Sequence, residues 1–139
     1  MCFAREFCQR YDIPIHVGKG QVVPGKKGLE AAARGARYAF FDTLPGKIAT
    51  AHTADDNAET VLMRLVRGSG LRGLCGIPPV RPLGSGLLLR PFLRVSRAEM
   101  KEYLHRHGLA YLTDETNTDR TYLRNRLRAE VIPVLSACN

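Results

Sequence analysis

The sequence has no tryptophan, only four cysteines in 139 residues, and no apolar run near the roughly 20 residues that a membrane-spanning helix needs. The first ten residues include Arg5, Glu6 and Arg10, so they lack the apolar core of a secretory signal. No two cysteines have the C-x-x-C spacing of a zinc site or redox pair, since they lie at Cys2, Cys8, Cys75 and Cys138. These absences predict a cytoplasmic protein with reduced thiols and no membrane contact.

Acidic residues are also scarce, with 13 Asp and Glu against 21 Lys and Arg and a net charge of +8. Such an excess favours a polyanionic partner, because Lys and Arg neutralise phosphates and release counterions. A basic surface without any ligand explains the same charge. The length and the 45% hydrophobic content predict one globular domain over residues 1–139. The Gly/Pro-rich loop near residue 80 is the candidate hinge.

Helical and extended patterns alternate along the chain. Apolar periodicity and capping signals predict helices over residues 3–11, 29–42, 55–66, 97–107 and 122–135. Short apolar runs predict strands over residues 47–51 and 87–89, and the Gly/Pro-rich residues 73–82 are predicted to form a loop. Strands that alternate with helices indicate βα units, so the predicted fold is α/β with a mainly parallel sheet flanked by helices.

The most informative segment is Ala-His-Thr-Ala-Asp-Asp-Asn-Ala-Glu-Thr at residues 51–60. His52 follows a predicted strand, and open α/β sheets bind ligands beyond the carboxyl ends of their strands. Asp55, Asp56 and Glu59 begin the next helix, where acidic side chains also act as simple caps. A histidine beside carboxylates suits orienting a nucleophile, taking its proton or holding Mg²⁺, for which Asp56 is the candidate ligand. Both interpretations stay open.

Arginines and a polar loop form two further candidate sites. Arg90 closes a predicted strand, where it either binds phosphate or is an ordinary surface arginine before a turn. Residues 114–119 lack the glycine and terminal glutamate of an EF-hand loop, so Asn117 and Asp119 are predicted to fix a turn. Dense arginines follow, suited to an RNA backbone, a bound anion or a solvated helix face, at Arg120, Arg124, Arg126 and Arg128.

Taken together and in this order, these segments resemble the catalytic N-terminal domain of tRNA(Ile)-lysidine synthetases, within the PP-loop superfamily of ATP-pyrophosphatases. The matching blocks are residues 30–38 (EAAARGARY), 51–60 (AHTADDNAET), 67–74 (RGSGLRGL), 90–97 (RPFLRVSR) and 114–126 (DETNTDRTYLRNR). The histidine–aspartate block is shared by related ATP-pyrophosphatases. The Asp/Asn loop that leads into Arg-Asn-Arg is more particular to the lysidine enzymes.

The resemblance implies a Rossmann-like, adenine nucleotide alpha hydrolase-like fold and a defined reaction. ATP adenylates the C2 carbonyl oxygen of the wobble cytidine of tRNA(Ile), and the ε-amine of free lysine displaces AMP to leave lysidine. The resemblance places His52, Asp56 and Arg124 in the catalytic centre. It assigns substrate or nucleotide binding to Glu30, Arg34, Arg37, Asp55, Glu59, Arg90, Asn117, Asn125 and Arg126. The expected cofactors are ATP and Mg²⁺, and the expected partners are tRNA(Ile) and free lysine.

The sequence departs from the family by lacking its Ser-Gly-Gly-x-Asp-Ser pyrophosphate loop, whose backbone amides grip the ATP phosphates. We therefore expect an N-terminally truncated domain that is inactive alone. Two alternatives stay open. A related tRNA thiolation enzyme normally uses paired cysteines, which this sequence lacks. A non-catalytic RNA-binding module or remnant would use the +8 charge without any nucleotide site.

Overall fold

The computed structural model of the protein describes residues 2–23, 28–113 and 120–138. The chain forms two compact units, Met1–Pro45 and Gly46–Asn139. The division falls after Pro45, whereas residue 80 lies on a strand inside the second unit. A hinge near residue 80 stays a prediction.

The first unit contains two helices, α1 (Cys2–Arg10) and α2 (Leu29–Asp42), both where the sequence predicts them. Aromatic rings recur along one side of α1 and its C-terminal turn. Phe3 and Phe7 have ring centroids 6.4 Å apart, and Phe7 and Tyr11 are 4.7 Å apart. Residues four apart are neighbours on a helix surface, so this row of rings follows directly from the sequence spacing.

Residues 12–23 follow α1 and belong to no helix or strand. The apolar side chains of Ile13, Ile15 and Val17 in this segment are about half exposed. A Cβ placed on Gly18 would lie 2.7 Å from a ring carbon of Phe40. Only glycine therefore allows the backbone to pass this close to that ring.

The second unit contains a three-stranded sheet of order β1-β3-β2, made of β1 (Lys47–Ala49), β2 (Val80–Leu83) and β3 (Gly86–Leu89). β1 runs parallel to β3, with Ile48 opposite Leu88, and β2 runs antiparallel to β3. Leu88 is fully buried at the centre of the sheet. The fold is α/β and Rossmann-like, with one parallel and one antiparallel strand pairing among the described residues.

β2 was not predicted, because the prolines in and before it are typical of a loop. Two prolines precede Val80, and Pro82 lies inside the strand, opposite Leu87. Proline lacks an amide hydrogen and is tolerated at a sheet edge, and β2 is the edge strand of the described sheet. β1 and β3 confirm the predicted strands, although β1 ends at Ala49 rather than at residue 51.

The helices of the second unit follow the predicted pattern, apart from a short helix over residues 71–74 that was not predicted and that overlaps the start of the predicted Gly/Pro-rich loop. Their bounds are α3 (Ala54–Val66), α4 (Leu71–Leu74), α5 (Arg97–Arg106), α6 (Leu123–Arg126), a π-helical turn (Leu127–Val131) and α7 (Ile132–Ser136). The last three elements form the predicted C-terminal helix, whose middle turn is wider than an α-helix and is followed by Pro133 near the start of α7. Within the described residues, no helix has the length and apolar character to cross a membrane.

Candidate active site

The first turns of α3 and α5 are bonded to each other beyond the carboxyl end of β1. Ala54 N donates to Val95 O at 2.9 Å, and Arg97 N donates to Asp55 Oδ2 at 2.8 Å. Asp55 therefore satisfies one of the amides that the start of α5 leaves without a helical partner. This contact brings Arg97 to the acidic first turns of α3.

Glu59 is fully buried and bound by three guanidinium groups. Arg124 Nε lies 2.5 Å from Glu59 Oε2, Arg128 Nε lies 2.7 Å from Oε1, and Arg97 Nη1 lies 3.3 Å from Oε1. An ionised carboxylate is stable in the interior only when it is paired and hydrogen-bonded. The interpretation of Glu59 as a simple helix cap is therefore wrong, because its carboxylate binds side chains from α5 and the C-terminal helix.

Asp56 both caps α3 and joins this group of charges. Its Oδ2 accepts hydrogen bonds from Thr53 N at 2.8 Å and from Thr53 Oγ1 at 3.0 Å, while Thr53 Oγ1 accepts from Asp56 N at 3.3 Å. These bonds form the capping box of α3. Its Oδ1 accepts from Arg97 Nη2 at 2.7 Å and from Arg124 Nη2 at 3.2 Å.

The charge state of Asp56 follows from these contacts. Partial burial raises the pKa of Asp56, but the hydrogen bonds from Thr53 and the charges of Arg97 and Arg124 outweigh it. The pKa therefore lies below its ordinary value of 3.8. Asp56 is thus an anion at neutral pH.

These contacts define an arginine–carboxylate cluster that consists of Asp56, Glu59, Arg97, Arg124 and Arg128. Three guanidinium groups face two carboxylates, so one positive charge remains. The arginine side chains are 29–34% exposed, whereas the Glu59 side chain is 0% exposed. The cluster therefore holds charges of both signs in a fixed geometry, with its cationic side open to solvent. Preorganised charges of this kind stabilise charge that develops in a reaction.

His52 occupies the predicted position beyond the carboxyl end of β1. Its Nδ1 lies 2.9 Å from Thr50 Oγ1, and Thr50 N donates to Leu89 O at the end of β3 at 2.9 Å. The orientation of the imidazole is therefore fixed by the two parallel strands. His52 lies four residues before Asp56, so the same chain segment carries the ring and the first carboxylate of the cluster.

Arg90 is buried rather than exposed, so its interpretation as an ordinary surface arginine is wrong. Its Nη1 donates to Pro78 O at 2.5 Å, and its backbone N donates to Pro79 O at 2.9 Å. Arg90 therefore supplies the hydrogen-bond donors for the carbonyl groups of two consecutive prolines. Its Nε is buried without a hydrogen-bond partner among the described residues. The assignment of Arg90 to nucleotide binding stays a prediction.

Some of the predicted binding residues do not belong to this cluster, and others lie outside the residues that the structure describes. Arg34 and Arg37 belong to α2 in the first unit. Arg34 Nη2 donates to the hydroxyl of Tyr38 at 3.3 Å, with its guanidinium carbon 4.9 Å from the ring centroid. Asn117 lies outside the described residues, as does the side chain of Glu30.

The predicted Arg-Asn-Arg motif divides between two environments. Arg124 joins the cluster, whereas Arg126 faces Glu130 at 3.8 Å and is 59% exposed. Asn125 lies between them on α6. Neighbouring residues on a helix point in different directions, so only one arginine of the motif reaches the buried carboxylate. Binding roles for Asn125 and Arg126 stay predictions.

Arg97 and Arg128 belong to the site but were not predicted as catalytic or binding residues. A signal for Arg128 was available, because it lies four residues after Arg124 and therefore on the same helix face. A weaker signal marked Arg97, which is the first residue of α5. A cation is unfavourable at a helix N-terminus, so an arginine there indicates a carboxylate partner from elsewhere in the chain.

The cluster does not fit Mg²⁺. Both oxygens of Asp56 already accept hydrogen bonds from Thr53 or from guanidinium groups. The part of the chain that the structure describes holds no group of three or more His, Cys, Asp or Glu side chains arranged to bind a metal ion. Guanidinium donors around a carboxylate also repel a divalent cation. The suggestion of Asp56 as a magnesium ligand is therefore not supported by this geometry.

An α/β fold with a histidine and an acidic helix start beyond its parallel strands is the architecture of a nucleotide-handling domain. A family model described as a PP-loop domain matches residues 2–135, and the chain belongs to this family. Membership confirms the fold class predicted from the sequence.

Similarity to individual proteins points further. The chain is 45% identical over 131 residues to a tRNA(Ile)-lysidine synthase of Pseudomonas fluorescens, covering 92% of the chain and 29% of that protein. It is 43% identical over 137 residues to a tRNA(Ile)-lysidine synthase of Neisseria gonorrhoeae, covering 97% of the chain and 31% of that protein. It is 44% identical over 142 residues to the bifunctional protein TilS/HprT of Listeria monocytogenes, covering 96% and 22%. These matches confirm the resemblance, and the chain spans less than a third of each relative.

Proposed function

We propose that this chain supplies part of the catalytic domain of a tRNA(Ile)-lysidine synthase, an ATP-dependent ligase that joins free lysine to the wobble cytidine of tRNA(Ile). The observation that carries the proposal is the arginine–carboxylate cluster. Its two carboxylates belong to the same ten-residue block as His52, and its arginines include Arg124 of the family motif. Identities of 43–45% to enzymes of that name support the same conclusion.

His52 and Asp56 are suited to the attack by lysine. The ε-amino group of lysine has an ordinary pKa near 10.4, so it arrives as an ammonium ion and must lose a proton before it attacks. An imidazole titrates near neutral pH and can take a proton at a ring nitrogen, and Thr50 fixes this ring at 2.9 Å. The ionised carboxylate of Asp56 attracts the ammonium ion to the same region.

Arg124 is suited to stabilising the negative charge of the leaving group. When AMP leaves, negative charge develops on its phosphate, and a fixed guanidinium group stabilises that charge. Asp56 and Glu59 hold Arg124 from two sides, at 3.2 Å and 2.5 Å. A cluster with charges of both signs thus matches a reaction between a cationic amino acid and a phosphate ester.

The sequence offers no phosphate-binding loop for ATP. The sequence contains no Ser-Gly-Gly-x-Asp-Ser motif, and its Gly68-Ser-Gly70 segment follows a helix and lacks the Lys-Ser/Thr ending of a Walker loop. We therefore expect the 139-residue chain alone to make no lysidine from ATP, lysine and tRNA(Ile). Mass spectrometry of the digested tRNA measures this directly.

A chimaeric enzyme tests the proposal. The chain replaces the segment that it matches in the Pseudomonas fluorescens tRNA(Ile)-lysidine synthase, and the rest of that relative supplies what this chain lacks. We expect the chimaera to form lysidine on tRNA(Ile), with strict dependence on ATP and lysine. A chimaera that folds, binds tRNA(Ile) and forms no lysidine contradicts the proposal and favours the non-catalytic RNA-binding alternative, which the net charge of +8 also fits.

A further inference from the structure

Residues 60–98 contain seven arginines and no acidic residue or lysine. Several of these arginines are committed inside the fold: Arg64 and Arg90 donate to backbone carbonyl groups, and Arg97 belongs to the cluster. The side chains of Arg67 and Arg72 are exposed and make no hydrogen bond or ion pair among the described residues. Arg67 lies four residues before Leu71, the first residue of α4, and Arg72 directly follows it. The proposed reaction assigns no role to this segment.

This segment, residues 67–72, is held firmly against α3, and we call it the arginine turn. Arg64 Nη1 donates to Gly73 O at 3.1 Å and to Gly76 O at 2.8 Å. Asn57 Oδ1 accepts from Ile77 N at 2.7 Å. These bonds fasten the residues after the turn to the first and last turns of α3, and Ser69 N of the turn itself donates to Arg64 O at 3.0 Å. A turn that is already ordered loses little entropy when it binds a partner.

The arginine turn also carries an apolar side chain that packs against almost nothing. Leu71 is 84% exposed, and Val66 immediately before the turn is 64% exposed. Apolar side chains grouped at the surface, with positive charges on both sides, are typical of an interaction site. A polyanion with apolar faces complements this pattern. RNA has both properties, because its phosphates carry the charge and its unstacked bases offer flat apolar surfaces.

We propose that the arginine turn is a contact surface for a single-stranded segment of RNA. Arg67 and Arg72 bind backbone phosphates, and Leu71 packs against the face of an unstacked base. The inference rests on the proposed function, which requires an RNA substrate.

Distance separates this surface from the catalytic cluster. The cluster includes Asp56 near the start of α3, and the arginine turn begins at the end of that helix, 11 residues later. At a rise of about 1.5 Å per residue, the two sites lie roughly 16 Å apart. A free amino acid is too small to span this distance, whereas an RNA loop of several nucleotides does so. The turn would therefore orient the RNA whose reacting base lies at the cluster.

RNA binding by the full 139-residue chain tests the inference. The probes are a tRNA(Ile) transcript and a single-stranded RNA of 20 nucleotides and unrelated sequence, titrated between 50 and 200 mM salt. The variant R67A/R72A is compared with the control R5A/K101A, which removes the same charge from exposed helix positions. We expect R67A/R72A to weaken binding about tenfold and to reduce the slope of log affinity against log salt by about 1.4, whereas the control changes affinity less than about twofold.

The variant L71A separates the apolar contact from the charges. We expect it to weaken RNA binding about threefold and to leave the salt slope unchanged. Sedimentation velocity of the same variants tests whether a second copy of the chain, instead of RNA, binds to the arginine turn. If R67A/R72A and L71A bind RNA like the parent chain, or if the parent chain binds no RNA at 50 mM salt, the inference is wrong. Loss of self-association at unchanged RNA affinity would identify a second copy of the chain as the occupant instead.

The outcomes distinguish this inference from the proposed function. If the chimaera forms lysidine but the arginine-turn variants bind RNA normally, the inference is wrong and the proposed function stands. A folded but inactive chimaera, with variants that lose RNA affinity as expected, removes the proposed function and leaves the RNA surface in place.

Discussion

At the scale of single residues, Glu59 is the position on which the site depends. It lies in the second turn of a helix, where an acidic side chain is unremarkable, yet its carboxylate is fully buried. Three arginines from two other helical segments form ion pairs with it. The same carboxylate therefore stabilises the fold and fixes the positions of the guanidinium groups that the proposed reaction uses.

Glu59→Gln tests how strongly this residue holds the second unit together. The amide keeps the shape of the side chain but leaves three guanidinium groups without their buried anion. We expect the free energy of unfolding to fall by about 3 kcal/mol in urea denaturation. The control is Glu102→Gln, since Glu102 is exposed and pairs with Arg106 on the same helix, α5. It should cost less than about 0.5 kcal/mol. Equal losses in the two variants would contradict the role given to Glu59.

The lowered pKa of Asp56 predicts a dependence of stability on pH. Its folded-state pKa lies below the ordinary value of 3.8, so the carboxylate contributes stability that is present above that value. The contribution is lost as the pH falls through the folded-state pKa. We expect Asp56→Asn to be less stable than the parent chain near pH 7 and to lose less stability on acidification to about pH 3. Urea midpoints across this range measure the difference, and parallel pH profiles would refute the assignment.

At the scale of helices and strands, the starts of α3 and α5 organise the site. Each begins with a capping box, Thr53 with Asp56 and Ser96 with Glu99. The two starts are bonded through Asp55, whose carboxylate accepts from the first amide of α5. Caps that normally set only helix boundaries here also bring the acidic end of one helix to the arginine at the start of another.

Thr53→Ala tests this arrangement. Thr53 is buried, and its hydroxyl group is bonded to Asp56 in both directions. Removing the hydroxyl should lower the free energy of unfolding by about 1–2 kcal/mol, because an amide of α3 and a carboxylate oxygen each lose a partner. Thr53→Ser keeps the hydroxyl and should recover most of that loss. Thermal unfolding of the two variants provides the measurement, and an equally stable pair would show that the cap contributes nothing.

Some of these helices and strands could be predicted from the sequence, and others could not. The bounds of α2 and the capping box at Ser96 were predictable because they depend on residues within a few positions of one another. β2 was missed because Pro82 has a local signature of a loop, and only pairing with β3 makes it a strand. The partners of Glu59 could not be predicted for the same reason, since Arg124 and Arg128 lie 65 and 69 residues away. Such contacts have no local signature.

At the scale of the whole molecule, the excess of positive charge acquires a defined distribution. Part of it neutralises Asp56 and Glu59 in the cluster, and part remains exposed at Arg67 and Arg72. A net charge of +8 alone could not distinguish a nucleotide site from an RNA surface. The structure separates a candidate catalytic cluster with charges of both signs at one end of α3 from a purely cationic surface at the other end.

The chain spans less than a third of the lysidine synthases that it matches, so its activity is best judged inside a longer enzyme. The most direct test of the central claim is the rate of lysidine formation by the chimaera and by its His52→Ala variant. We predict that the parent chimaera is active and that His52→Ala slows it at least about a hundredfold, while the exposed-site variant Arg106→Ala has no effect. A folded parent chimaera that makes no lysidine, or a His52→Ala variant as fast as its parent, would contradict the claim.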